Sequence, residues 1–499
     1  MLTVTVWSLI NDTCKLANIK TPTISELNTL LDQKTWNIYS KGNTCLVNQA
    51  DSDYATGLVK EYKPHSVAEM SAFVACIRPG CASLLNDFIH RKDHSTGVKE
   101  LDDILKDSAK MCLYQESIMH YLIWLGEPED NTYTIIKKIA KKKFSKEELE
   151  ELKNRLKKQW INITGKEDCF EENWQVIQDA ARYSFNASHS LSYAYDSIYV
   201  AYLKAHYPLE FYTVAFNMYQ GDFERTNKLT KELKYFKLKL SNPKFRHSFG
   251  DYSFDRENNT IYKSISSIKG LSKTAGDKLY TLKDNQYSTF LDLLIACKEI
   301  GVGIADITTL IKIDYFAEFG KIGKLLKFID IYNELYGKKM LKKDKEYLVK
   351  KLFLKDYCSK ETDKQYSGFD SYSCLAALFD KLPNTDISLK DKINYQLMYY
   401  GYTDIVDKRA SQTIWTVLDM KDRSKNKYID LYRVATGEQT KVKMRASTFD
   451  NAPFKIGDLL DIPCFNKEGK WILDNNTGKW ARSSTQFEDI LNNYKIVGE

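Results

Sequence analysis

Apolar residues recur at three- and four-residue spacing from the start of the chain to about residue 224, the period of helices that bury one face. Ser145-Lys146-Glu147-Glu148 reads as a capping box ahead of Leu149, Leu152 and Leu156, which share a face, so a helix is predicted to start there. A second start is marked by Asn186 and Ser188, both good N-caps. Leu191, Ala194 or Tyr195, Ile198 and Tyr202 then fall on one face until Pro208 stops the run. From about 225 to 320 the text changes: a short segment of β character at 260–265 leads into compact helix-turn-helix patterns with a Gly at each turn. From about 321 to 400 it is helical and lysine-rich, with a period that suits a connector carrying a solvated basic face.

The last hundred residues switch to period two. Tyr428, Asp430 and Tyr432 alternate with Ile429, Leu431 and Arg433, Thr436-Gly437 turns the chain, and Thr440, Val442 and Met444 alternate with Lys441, Lys443 and Arg445. Runs at 414–420 and 454–462 bring the total to four or five short strands, enough for a small Greek-key barrel of the OB type. The predicted fold class is a multidomain chain, mostly α, with a C-terminal β-barrel (OB-fold).

Composition narrows the class further. The 499 residues suit three or four domains of ~100–200 residues each. With 43% hydrophobic and 28% charged residues and only 9 Pro, general disorder and collagen-like structure are excluded. No apolar run approaches the ~18 residues that span a bilayer, and the first twenty residues lack a signal-peptide pattern, so a soluble, cytoplasmic protein is expected. The 10 Cys contain no CxxC pair, which leaves a zinc site or a disulfide framework without support and predicts reduced thiols. Lys plus Arg number 73 against 66 Asp plus Glu, a net +7 that permits a nucleic-acid partner without requiring one.

Three places carry candidate chemistry. At 183–190, His189 stands beside a marked helix N-terminus, whose N–H groups and dipole suit a phosphate; a capped core helix with a structural His fits that segment equally well. Lys137, Lys138, Lys141 and Lys142 form two i,i+4 pairs that would project from one side of a helix and repel unless an anion or water lies against them. Such a cluster, taken alone, is more often a solvated face. Arg78 precedes Pro79-Gly80, a way to hold a guanidinium fork in a fixed place for phosphate, with an ordinary surface loop as the alternative.

FNASHSLSYAYDSIYVAYLKAHYPLEF at 185–211 resembles F-N-x-S-H-S-x-x-Y...W-L-K-A-H-Y-P-x-E-F, a signature in the fingers of the alpha subunit of bacterial DNA polymerase III, the C-family replicative polymerases. Further landmarks follow the same order. EMSAFVACIRPG at 69–80 resembles x-x-x-D-x-x-A-L-x-A-L-x-R-P-G-P, and LLNDFIHRKDH at 84–94 resembles x-x-x-x-F-x-x-R-K-H-G. Tyr114-Gln115-Glu116 resembles Y-Q-E, residues 137–144 resemble R-R-A-M-G-K-K-K, and residues 48–53 resemble F-Q-L-E-S-R. Downstream, 266–272 and 303–320 resemble the family's tandem helix-hairpin-helix pair.

The resemblance implies the end of the palm and the fingers at 1–224, tandem helix-hairpin-helix at 225–320, a helical connector at 321–400 and an OB domain at 401–499. It implies that incoming dNTP and its triphosphate meet Arg78, Lys137, Lys138, Lys142, Asn186, Ser188 and His189, with Tyr193 as a base-stacking ring. Primer-template DNA would meet Arg91 and Lys92 in the fingers, Lys269 and Gly270 in the first hairpin, and Lys441, Lys443 and Arg445 on one strand of the barrel, with Trp415 and Trp471 as stacking candidates; a solvated cationic face with both Trp residues in the core fits that strand equally well.

Departures from the pattern bear on the chemistry. Lys141 replaces a Gly, Phe144 a Lys, and Lys137 and Lys138 replace Arg residues that could grip phosphate bidentately; Asp53 stands where an Arg is usual, and Ser272 and Asp314 replace hairpin glycines. The family's palm aspartates and its histidine-rich PHP domain find no counterpart, and residues 1–7 resemble the text that follows the third palm aspartate. The resemblance thus implies no catalytic residue and no metal ligand in this chain, with Mg²⁺ held by the palm of a partner, an N-terminal PHP-palm fragment. Read so, the chain is the second half of a split polymerase and inactive alone; the other reading is a non-catalytic DNA-binding protein that kept these domains after losing the palm. The expected location is the cytoplasm, or the host cytoplasm if phage-encoded. A sliding clamp is a further partner the family implies, although residues 486–490 are too short a match to assign as its peptide.

Overall fold

The computed structural model describes residues 2–78, 81–106, 110–183, 185–423, 425–473 and 480–497. It divides into two compact units, residues 1–240 with 254–261, and residues 241–253 with 262–499. No helix of the described residues is long and apolar enough to cross a membrane.

The first unit is helical: α1 (Leu2–Leu16), α2 (Ile24–Leu30), α3 (Gln33–Ser40), α4 (Asp53–Tyr62), α5 (Val67–Cys76), α6 (Ala82–Ile89), α7 (Lys99–Ile104), α8 (Gln115–Trp124), α9 (Glu129–Ala140), α10 (Lys146–Thr164), α11 (Phe170–Tyr183), α12 (Ala187–His206), α13 (Pro208–Met218) and α14 (Phe223–Leu233). The capping box read at Ser145 and Glu148 starts α10 as the sequence predicts, and Leu152 and Leu156 are buried on its face. Asn186, rather than Ser188, is the N-cap of α12, and Pro208 opens α13 at a position where its missing N–H costs nothing. α12 is the central helix, packed against α1, α3, α5 and α13 and buried all round over 196–204. A second apolar core ties α7 to α11 around Trp160, Trp174 and Leu156.

Around the division come short strands β1 (Lys239–Ser241), β2 (Ser253–Asp255) and β3 (Thr260–Tyr262); the β character read at 260–265 is thus a three-residue strand followed by a 3₁₀ turn at Ile265–Ser267. In the second unit, α15 (Lys273–Tyr280), α16 (Phe290–Glu299), α17 (Ile304–Lys312) and α18 (Ile322–Leu335) are followed by β4 (Met340–Lys342), α19 (Lys351–Lys355), β5 (Cys358–Glu361), β6 (Gln365–Phe369), α20 (Ser371–Lys381) and α21 (Leu389–Tyr400). The segment read as a purely helical connector therefore also contains a three-stranded antiparallel sheet in the order β4-β6-β5. Its strands are short and largely exposed, so they carry no alternating apolar signal. One apolar cluster runs from Phe245 to Tyr400, so the segments read as hairpins and as connector share a core.

The C-terminal part is a seven-stranded sheet: β7 (Ile414–Arg423), β8 (Asn426–Arg433), β9 (Gln439–Arg445), α22 (Ala446–Asn451), β10 (Leu459–Asp461), β11 (Asn466–Leu473), β12 (Trp480–Ile490) and β13 (Lys495–Ile496), in the order β11-β12-β9-β8-β7-β10-β13. Val417, Ile429, Leu431, Val442 and Met444 form its core, the alternation that the sequence shows. The order carries no pairing of the two end strands among the described residues, so no closed barrel is described. The strand read over 454–462 shrinks to β10, and β11, β12 and β13 were not foreseen.

Candidate functional site

The site is built around the N-terminus of α12. Its cap, Asn186, accepts the His189 N–H at 2.9 Å. Glu116, in the first turn of α8, reaches across the sequence to accept the Ala187 N–H at 2.9 Å and the Asn186 side-chain amide at 2.6 Å. A carboxylate placed there also meets the positive end of the helix dipole. Backbone pairing brings the two segments together, with Gln115 N–H donating to Phe185 O at 3.0 Å and Phe185 N–H to Leu113 O at 3.2 Å. Below them, Ser71 of α5 accepts the Tyr114 hydroxyl at 3.2 Å and its carbonyl accepts the Ser190 hydroxyl at 2.6 Å. Tyr114-Gln115-Glu116, indistinguishable from ordinary helix text in the sequence, is the brace of the site.

Aromatic rings and cations complete it. The His189 ring lies 5.1 Å from Phe185 and 4.4 Å, edge-on, from Tyr193. The Arg78 guanidinium sits 4.5 Å over the Phe185 ring, and its Nε is buried without a hydrogen-bond partner among the described residues. A buried cationic donor left unpaired is costly, so an anion seated there would relieve it. The structure thus brings Arg78, Asn186, Ser188, His189 and Tyr193 together. The helix N–H groups are largely spent on Glu116 and Asn186, so an anion seated there would have to be held by side chains. The Pro79-Gly80 turn and Ser184 lie outside the described residues.

The lysine cluster is arranged differently from the sequence expectation. α9 ends at Ala140, and Lys142 adopts a left-handed φ of 49°. Lys142 N–H donates to Ile139 O and Lys143 N–H to Lys138 O, a Schellman closure. Lys137 and Lys138 therefore occupy the last helical turn, favourable for cations, while Lys141 and Lys142 leave the helix, which breaks the predicted single-sided row. Lys137 lies over the Tyr133 ring and Lys138 over Phe144, at 4.2 and 5.1 Å. α9 packs on α8, the helix that carries Glu116, but no described hydrogen bond, ion pair or ring contact joins these lysines to Arg78 or His189.

Arg91 is committed internally. It pairs with Glu69 at 2.8 Å, donates to the carbonyls of Tyr62 and Lys63, and covers the Tyr62 ring. Burial raises the Glu69 carboxyl, yet the Arg91 guanidinium and the His65 N–H together outweigh it and hold the group below the usual carboxylate range. Lys92 pairs with Asp87 at 2.7 Å. Both face a cleft of about 300 Å³, also lined by His94, Lys106 and Lys110.

In the second unit Gly270 turns the chain at φ 89° with open space around it, while the Lys269 N–H is taken by Tyr399 O at 2.9 Å. Lys441, Lys443 and Arg445 share one face of β9, as predicted from the alternation, but Lys441 pairs with Asp430 at 3.3 Å and Lys443 with Glu488 at 2.9 Å. Trp415 is buried under Arg433, whereas Trp471 is half-exposed, so only the latter is open to stacking. Trp480, also exposed, was missed; its strand is a two-stranded ribbon with β11 over most of its length, exposed on both faces.

The mostly helical first unit thus gathers a guanidinium, a histidine and a braced helix end, and the second unit ends in a seven-stranded β-sheet. Residues 6–163 match the bacterial DNA polymerase III alpha subunit finger domain. DNA polymerase III subunit alpha of Aquifex aeolicus is 30% identical over 269 residues, 52% of this chain and 23% of the relative. That of Ureaplasma parvum is 23% identical over 436 residues, 84% of this chain and 43% of the relative, and that of Bacillus subtilis 28% over 270 residues, 53% and 24%. Over these residues the chain is similar to the DNA polymerase III alpha subunits, and it spans less than half the length of each of these relatives.

The brace can be tested without any ligand. Glu116→Ala should lower the stability of the first unit by about 1–2 kcal/mol, the range for a lost cap with a dipole contribution, and Glu116→Gln by less. Hydrogen exchange at the first turn of α12 should speed up in step; unchanged protection there would deny Glu116 this role.

Proposed function

We propose that this chain is the fingers and DNA-gripping portion of a replicative DNA-directed DNA polymerase, binding incoming dNTP and primer-template while the palm aspartates and their Mg²⁺ reside on a separate chain. The observation that carries the reading is Arg78, whose unpaired buried Nε lies against the Phe185 ring beside His189 and the Asn186 cap. A triphosphate would give that guanidinium a charge-assisted partner, His189 a second donor point, and the Tyr193 ring a neighbouring base. Lys137, Lys138 and Lys142 then offer a further cationic edge at the end of α9.

In phosphoryl transfer of this kind, two Mg²⁺ ions activate the attacking hydroxyl and steady the leaving pyrophosphate. In this reading those ions belong to the palm aspartates of the partner chain. This chain's part is to hold and orient the triphosphate and the DNA. In the second unit, Lys269 and Gly270 supply a hairpin turn for duplex phosphate. In the C-terminal sheet, read as an OB domain, Lys441, Lys443 and Arg445 supply cations for single strands.

Binding of single-stranded DNA to the whole chain should be independent of sequence, with log K falling linearly against log salt. Replacing Lys441, Lys443 and Arg445 together by Ala should flatten that slope by at most about two, three phosphates at about 0.7 each, and leave duplex binding in place. A slope that does not change would make this strand a solvated face, and no DNA binding at all would remove the proposal.

A further inference from the structure

In the second unit Tyr399 of α21 touches both segments read as hairpins. Its carbonyl, one of the last in the helix and so without an intrahelical partner, accepts the Lys269 N–H at 2.9 Å, beside the open turn at Gly270. Its hydroxyl accepts a hydrogen bond from the Lys312 ammonium at 3.4 Å, at the end of α17. The same ammonium lies 5.2 Å from the centre of the Tyr395 ring and 6.0 Å from that of Tyr399, two rings one helical turn apart. α21 buries Ile393, Gln396 and Tyr400, while Tyr395, Tyr399 and Lys312 are half-buried. The Tyr399 ring packs against the apolar cluster of this unit. Lys263, Lys273 and Lys392 are each paired with a carboxylate, whereas among the described residues neither Lys269 nor Lys312 has an ion-pair partner.

We propose that the Tyr399 hydroxyl and the Lys312 ammonium form a site for a backbone phosphate of duplex DNA, which makes α21 part of the gripping surface rather than of a connector. This site presupposes the reading under which the hairpins grip duplex DNA, and it adds a contact that the hairpin turns do not supply. An ammonium that donates to a phenol oxygen occupies its accepting side and polarises its O–H bond. The Tyr399 hydroxyl is thus left as a donor, and among the described residues no acceptor takes its proton. Lys312 keeps two further N–H donors. Donors alone, with a positive charge behind them, suit an anionic oxygen, and tyrosine hydroxyls and lysines are ordinary partners of DNA phosphates. Tyr395 is a positioning residue here, since its ring shares the ammonium with Tyr399 and keeps Lys312 against the hydroxyl. The contact between Tyr399 and Lys269 makes the site continuous with the turn assigned to duplex phosphate, which is why the duplex is named and not the single strand.

Binding of a labelled blunt duplex of mixed sequence to the whole chain, followed by anisotropy over a salt series, tests the site. Tyr399→Phe removes one hydroxyl and keeps the ring and the carbonyl. It should weaken duplex binding by about 3- to 10-fold, the net value of one hydrogen bond, without changing the slope of log K against log salt, because a neutral donor releases no counterion. Lys312→Met should weaken binding further and flatten the slope by about 0.9, one phosphate, and Lys312→Arg should restore the slope. A Tyr399→Phe chain that binds as tightly as its parent would overturn the proposal. So would a Lys312→Met chain that keeps the parental slope, or one whose loss of affinity follows a lowered unfolding midpoint and is not rescued by arginine. Losses confined to single strands would overturn the duplex assignment. If the whole chain binds no duplex, the reading of the hairpins fails and the site with it; if Lys269→Ala weakens duplex binding while Tyr399→Phe does not, only the Tyr399 site fails.

Discussion

Lys204→Met should destabilise the first unit by about 3–5 kcal/mol, the loss typical of removing one partner from a buried ion pair. Lys204 is fully buried in the last turn of α12, where it donates to the carbonyls of Asn43 and Cys45 at 2.7 Å each and pairs with Glu232 of α14 at 2.5 Å. Glu232 also accepts the Cys45 N–H at 2.9 Å and the Tyr212 hydroxyl at 2.7 Å. Burial pulls the Lys204 ammonium below its usual range, against the opposing effect of Glu232. Methionine fills similar volume but leaves two carbonyls unpaired and Glu232 without its counter-charge. The loss is a large share of the ~5–15 kcal/mol that holds a domain together. Lys204→Met with Glu232→Gln should recover at least about 1 kcal/mol, because the uncompensated charge is then gone. Urea unfolding followed by hydrogen exchange along α12 reads both values, and a single-variant loss under about 1 kcal/mol would mean that the network is not what joins α12, the 43–45 loop and α14.

Arg78→Ala carries the other large effect. In a reconstituted enzyme it should lower kcat/KM for dNTP by about 10²–10³-fold, the range for losing one pre-aimed charge-stabilising donor, with DNA affinity nearly unchanged. Arg78→Lys should recover only part, since an ammonium cannot lie flat on the Phe185 ring and present a fork at the same time. His189→Ala and Lys142→Ala should move the same parameter by smaller factors. Equal losses of DNA binding, with dNTP use intact, would hand these residues to the template strand.

Much of this surface could be read before the fold was known, because helices and caps are local. The Ser145 box, the Asn186 cap and the Pro208 stop rest on contacts within four residues, and each stands where the text places it. What escaped is long-range or exposed. Glu116 braces Ala187 from 71 residues away, and nothing in a Tyr-Gln-Glu triplet signals a partner so distant. β4, β5 and β6 are too short to show a period, and β11 with β12 form a ribbon exposed on both faces, so no alternation marks them. Lys142 escaped for a different reason: a left-handed closure at a lysine gives no glycine to announce it. The partners of Lys441 and Lys443 likewise lie on other strands, and only the three-dimensional register reveals them.

Primer extension with Mg²⁺ on a primed template tests the central claim most directly. The purified chain should incorporate no dNTP by itself and should gain activity when mixed with, or spliced to, a polypeptide carrying the PHP and palm domains. Robust incorporation by the pure chain, or no incorporation after mixing with a folded palm-bearing partner, would contradict the account.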